Sequence, residues 1–255
     1  MRAGICSITL RARGTGDVLR IMADAGLRCV EWGGDVHVPA GDLATARRVG
    51  RDCSNAGVAV CSYGSYYRAG SSPRAAGQAA LDTAAELGAP RVRVWAGSIP
   101  SAAATEKERA DIAADLARLA AQAAARGLSI ALEYHSGTLT DERNSALQML
   151  RDVAGPDVSP YWQPPLDMPD ELAITDALAI LPHANAVHVF SWLPGQTRRE
   201  LAFRQAMWRP VITAAVTSGI SDALLEFVPD DDPALVLRKA KTLNEWIRRA
   251  REDLA

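Results

Sequence analysis

Short apolar runs alternate along the chain with longer stretches whose apolar residues recur at helical spacing. The runs fall near residues 3–8, 28–32, 58–63, 91–95, 128–134, 158–163, 184–191 and 222–227. Runs of this length bounded by turn signals read as buried strands, and strands separated by amphipathic helices build parallel sheets with helical crossovers. Eight such units predict a closed (β/α)8 barrel of α/β class, with residues 1–255 as one domain and no linker. Alanine-rich stretches such as 110–126 supply the helices, each with one apolar stripe for the barrel. Helix starts are marked by Thr105 with Glu108, a capping box, by Pro73 and Pro233 at first turns, and by Thr140 ahead of an acidic turn.

The polar residues that interrupt this pattern sit where chemistry would collect. Glu133, Gln163, His188 and Glu226 each lie at or near the C-terminal end of an apolar run. In a closed parallel barrel those ends converge on one face, which carries the catalytic groups. A buried carboxylate is costly unless paired or bound to a metal, so Glu133 and Glu226 call for a cation between them. The plainer reading pairs them with Arg93 or Arg198 as barrel-mouth ion pairs. The remaining strand ends add Glu31, Trp32, His37, Tyr66, Trp95, His135 and Trp192, with Arg198 in a following loop. Aromatic faces cover C–H patches while polar side chains pair with hydroxyls, so this mixture favours a small sugar or polyol as partner. The loop from Trp95 to Thr105 and the segment after Trp192 are the longest connections near these ends, each a candidate lid.

Charge and composition narrow the classes. The 255 residues carry 28 Lys+Arg against 30 Asp+Glu, a formal net charge of −2, and no long basic run, which argues against nucleic-acid binding. No apolar stretch suits a signal peptide or a membrane helix, so a cytoplasmic protein is expected. Cys6, Cys29, Cys53 and Cys61 form no CxxC pair and read as small buried thiols. The lysines, Lys107, Lys239 and Lys241, fall in helical stretches, which disfavours a Schiff-base aldolase. There is no P-loop, no GxGxxG after a strand and no GxSxG elbow. The acidic segment 228–232 offers no glycine-rich phosphate cradle, so an unphosphorylated substrate is expected, with Arg198 and Arg199 the groups that speak against it.

Four segments carry a resemblance to a known family: Val30-Glu-Trp-Gly-Gly-Asp35, Leu132-Glu-Tyr-His-Ser-Gly137, Val187-His-Val-Phe190 and Leu224-Leu-Glu-Phe227. Over essentially its whole length the chain resembles the xylose-isomerase-like TIM barrel superfamily, which includes sugar isomerases, ketose 3-epimerases, inosose isomerases and dehydratases, and the endonuclease IV group. The resemblance implies a divalent metal ion (Mn, Mg, Zn or Co) held by Glu, Asp, His and Glu from successive strands, matching Glu133, Gln163, His188 and Glu226. Gln163 departs from that pattern, and an amide oxygen ligates a hard cation without contributing charge, so weaker metal retention is expected. The implied reaction is isomerisation or epimerisation of an unphosphorylated ketose, inosose or keto-polyol through a metal-stabilised enediolate, with Glu133 and Glu226 as acid and base. The rivals are an elimination lyase or dehydratase acting on 3-keto-glycosides or inososes, and a non-catalytic sugar-binding barrel that has lost its metal. Related barrels often pair, so a homo-oligomer is a further expectation.

Overall fold

The structure is a computed structural model that describes residues 1–153 and 157–254, so residues 154–156 and 255 of the expected domain lie outside the described residues. Its elements follow the alternation of the sequence: β1 (Arg2–Cys6), α1 (Thr15–Ala25), β2 (Cys29–Gly33), α2 (Leu43–Asn55), β3 (Ala59–Arg68), α3 (Arg74–Leu87), β4 (Arg91–Trp95) and α4 (Glu106–Ala124). Then come β5 (Ser129–Glu133), α5 (Arg143–Val153), β6 (Val158–Trp162), α6 (Asp170–Ile180), β7 (Ala186–Val189), β8 (Ser191–Leu193), β9 (Thr197–Arg199), α7 (Gln205–Thr217), β10 (Asp222–Leu225) and α8 (Pro233–Glu252). Strands β1, β10, β7, β6, β5, β4, β3 and β2 close in that order into the expected (β/α)8 barrel.

Three local expectations are revised. The seventh run stops at Val189, and Ser191 opens an antiparallel ribbon in which β8 pairs with β9, Trp192 opposite Arg198. Strand β3 extends to Arg68, with its register to β4 shifting between Gly64 and Arg68. Thr140 does not start a helix: its hydroxyl donates to the Glu133 carbonyl at 2.6 Å, and the Glu142 carboxylate instead accepts from two backbone amides in the first turn of α5, Asn144 and Ser145. The capping box of Thr105 and Glu108 forms on α4, and Asp232 caps α8 ahead of Pro233, whereas Pro73 stands just outside α3 as its N-cap residue.

Backbone contacts divide the chain into two compact units, residues 1–31, 52–59 and 162–255, and residues 32–51 and 60–161. In the first, β10 pairs with both β1 and β7 in parallel register. Gly4 on β1 is required there, because a Cβ would sit 2.3 Å from the Cys29 carbonyl oxygen. Trp162 and Trp208 meet edge to face inside this unit, and the Trp162 indole N–H donates to the buried Asp176 at 2.8 Å. In the second unit β3 to β6 pair in sequence, and the buried face of β4 carries two arginines: Arg91, bonded to the Tyr161 hydroxyl, and Arg93. All four cysteines are buried thiols, Cys6, Cys29 and Cys53 in the first unit and Cys61 in the second. Among the described residues no helix is long and apolar enough to cross a membrane.

Candidate metal centre

In the first unit the candidate chemistry gathers around one imidazole. His188, in the middle of β7, is fully buried, with a side-chain exposure of 0%. Its Nδ1 lies 3.0 Å from the Gln163 Oε1 and 3.4 Å from a Glu226 carboxylate oxygen. Gln163 follows the last residue of β6 and Glu226 the last of β10, so both reach the ring from strand ends as the sequence pattern anticipates. On the other edge Nε2 faces Glu31 Oε1 at 3.9 Å, and Cys6, Glu31 and His188 together offer donor atoms within 4.8 Å of one another. Register brings Cys6 and Glu31 side by side, paired across β1 and β2.

Glu226 is 6% exposed at its side chain, and among the described residues no lysine or arginine pairs with it. Its backbone is tightly held: the Thr9 hydroxyl donates to the Leu225 carbonyl at 3.4 Å and accepts from the Phe227 amide at 3.0 Å, spanning Glu226. Phe227 takes a left-handed conformation, φ +51°, and the ammonium of the buried Lys239 donates to its carbonyl at 3.2 Å. Burial lowers the Lys239 pKa to about 8, with Glu200 opposing and Arg198 adding to the shift.

In the second unit Glu133, the last residue of β5, is buried and already partnered. Arg93 pairs with its Oε2, and the Trp95 indole N–H donates to the same oxygen at 2.7 Å. Arg93 therefore plays for Glu133 the part that the ion-pair reading assigned, whereas Arg198 does not reach Glu226. Arg198 donates to Asp231 at 2.8 Å and to the Val228 carbonyl at 3.2 Å, its guanidinium 4.6 Å from the centre of the Phe227 ring.

The expected sugar contacts are spread over both units. Within the second, Tyr66 is exposed, donates to Asp35 at 2.9 Å and meets Trp95 edge-on; His135 lies against Trp95 with its Nδ1 bonded to the Ser136 carbonyl. Trp32 is fully buried and packs on the buried His37. Tyr63 is buried beside them, its hydroxyl donating to the Val38 carbonyl at 2.9 Å, and burial, then the charge of Asp35, pushes its phenol pKa up. Within the first, Trp192 packs between Phe190 and Phe227, with a buried indole N–H that makes no hydrogen bond among the described residues. Sequence reasoning missed the anchoring of Glu133 by Trp95. The available signal was β4 itself, Arg91-Val-Arg-Val-Trp95, where charges alternate with valines on a buried strand and so demand partners.

The sequence profile described as xylose isomerase-like TIM barrel matches residues 19–189, more than half the chain, and the chain belongs to that family. No curated protein matches it in sequence. Among solved structures it is similar to the probable 3-DHS dehydratase AsbF from Bacillus anthracis, with TM-score 0.79 and 17% identity over 96% of this chain and 99% of that one. It is similar too to a xylose isomerase-like TIM barrel protein from Mycobacterium smegmatis in complex with magnesium, TM-score 0.75 and 14% identity over 98% and 97%. An L-ribulose 3-epimerase gives TM-score 0.70 and 18% identity over 99% and 96%. At these identities the likeness is one of fold.

Proposed function

We propose that the chain is a divalent-metal-dependent isomerase or epimerase of an unphosphorylated ketose, inosose or related keto-polyol. The observation that carries this reading is the Glu226 carboxylate, buried without a lysine or arginine partner among the described residues and directed at the same imidazole nitrogen as the Gln163 amide oxygen. One imidazole nitrogen with hard oxygen donors from a carboxylate and an amide is a donor set that suits Mg, Mn, Co or Zn. Glu226, His188 and Gln163 would hold the ion, leaving Glu133 free to act as the base. When bound, the ion would polarise a substrate carbonyl as a Lewis acid.

The residues themselves supply the proton traffic. A Glu133 carboxylate oxygen takes the proton from the carbon beside the carbonyl, and Glu226 returns one to the opposite face of that carbon, which inverts it. Return to the neighbouring carbon gives the isomer. Such acid–base assistance contributes roughly 10²–10⁴-fold. The Trp192 indole N–H, buried and without a bond among the described residues, is suited to a substrate hydroxyl, and Tyr66, His135 and Arg198 offer further polar contacts.

The test is elemental analysis of purified protein before and after chelation, followed by deuterium wash-in from heavy water across keto-sugars. Stoichiometric metal, lost on chelation and restored on addition, with metal-dependent exchange at a carbon next to the carbonyl, is the expected result. Release of water or an aglycone in place of a stereoisomer would assign elimination instead. Sugar binding unaffected by chelation, with no exchange, would mark a binding barrel.

A further inference from the structure

The two glutamates assigned to proton transfer are held in opposite ways. Glu226 faces a histidine and an amide, whereas Glu133 has a protein cation and an indole donor of its own. Both of those donors end on the same atom, Oε2, and the Thr140 hydroxyl fixes the main-chain carbonyl of the same residue at 2.6 Å. With one carboxylate oxygen and its own backbone tied, the side chain has little rotational freedom left.

Trp95 is itself immobilised. The Arg68 guanidinium lies 4.2 Å from its ring centroid, Tyr66 and His135 approach at 5.3 Å and 5.5 Å, and the residue is 8% exposed. An indole whose neighbours already include a guanidinium, a phenol and an imidazole has little surface for a sugar to stack on. Its polar edge, however, is turned toward Glu133. Building on the reading of Glu133 as a proton-transferring group, we propose that Arg93 and Trp95 are positioning residues that anchor Glu133 through Oε2 and reserve Oε1 for the reaction. Trp95 thereby serves the carboxylate and not the sugar.

The experiment uses the full chain and two independent readouts. The first is the Trp95 indole N–H resonance in 15N-labelled protein, assigned by its loss in Trp95→Phe. A hydrogen bond to a carboxylate places it downfield, and Glu133→Gln, which removes the charge, should move it upfield. The second is the split between kcat and KM for proton exchange. Trp95→Phe removes one N–H donor while keeping an aromatic ring, and kcat should fall by roughly 10- to 100-fold with KM nearly unchanged, as expected when a reacting group is misplaced. Arg93→Lys should retain more kcat than Arg93→Met, which leaves Glu133 without its cation and threatens folding; Trp95→Phe does not carry that burden. An indole resonance indifferent to Glu133→Gln, or a Trp95→Phe variant whose KM rises at constant kcat as a stacking platform would give, would overturn the proposal. A wild-type protein that exchanges no substrate proton would instead remove the functional reading, and the resonance would then decide the anchoring alone.

Discussion

Gln163 is the residue on which cation affinity turns. Its amide oxygen reaches His188 Nδ1 at 3.0 Å, where a carboxylate would add a negative charge. Gln163→Asp should tighten divalent-ion binding by roughly tenfold, read by competition with a metal indicator, because affinity for hard cations follows ligand charge. Unchanged affinity would mean that position 163 does not touch the ion. Lys239 provides a second residue-scale expectation. Its folded pKa of about 8 lies below the ordinary lysine value of 10.5, so between those values the unfolded chain binds more protons and stability should rise with pH. The cost of the buried charge, roughly 3 kcal/mol, is present below about pH 8 and gone above about 10.5. Lys239→Met should flatten this rise in urea titrations run across that window. At this scale the sequence revealed which residues were out of place among apolar neighbours, and thereby Glu133, His188 and Glu226. It could not reveal which oxygen of Glu133 is tied, or that Arg198 turns to Asp231, because those depend on side-chain direction across strands far apart in the chain.

Elements were legible where a local rule dictates them. The Thr105–Glu108 capping box forms as its spacing requires, and Thr105→Ala should cost about 1 kcal/mol, measurable by denaturant unfolding. The β8–β9 ribbon was not legible, since its strands are three residues each and their pairing is settled by a non-local contact. That contact is Arg198, opposite Trp192 in the ribbon and bonded to Asp231 and Val228 beyond β10. The ion pair is partly exposed, so Asp231→Ala should change global stability by less than about 1 kcal/mol. The same substitution should nevertheless speed amide hydrogen exchange across residues 191–199, because it releases the tether of a short element. Equal exchange in both proteins would show that the aromatic packing of Trp192 holds the ribbon without help.

At the scale of the molecule, the alternation of eight apolar runs with amphipathic stretches was sufficient to identify the barrel, because a parallel sheet of this length has few other ways to bury both faces. Strand ends moved by several residues, most at β3 and β7, where a register shift and a change of sheet override the apolar pattern. If an ion binds the native state alone, its stabilisation is set by mass action, about 2.7 kcal/mol at a hundredfold excess over Kd. Melting temperature should therefore climb with added manganese and fall on chelation, and the climb should vanish in Glu226→Gln. A climb that survives Glu226→Gln would place the ion elsewhere.

The burial of every thiol has a use of its own. Cys6, Cys29, Cys53 and Cys61 are each no more than 1% exposed, so an alkylating reagent can reach them only when the chain around them opens. Three of these sulfurs belong to one compact unit and one to the other, which makes the native protein its own two-channel clock of local breathing. Mass spectrometry of the labelled peptides would time the opening of each unit separately, with no reporter engineered in.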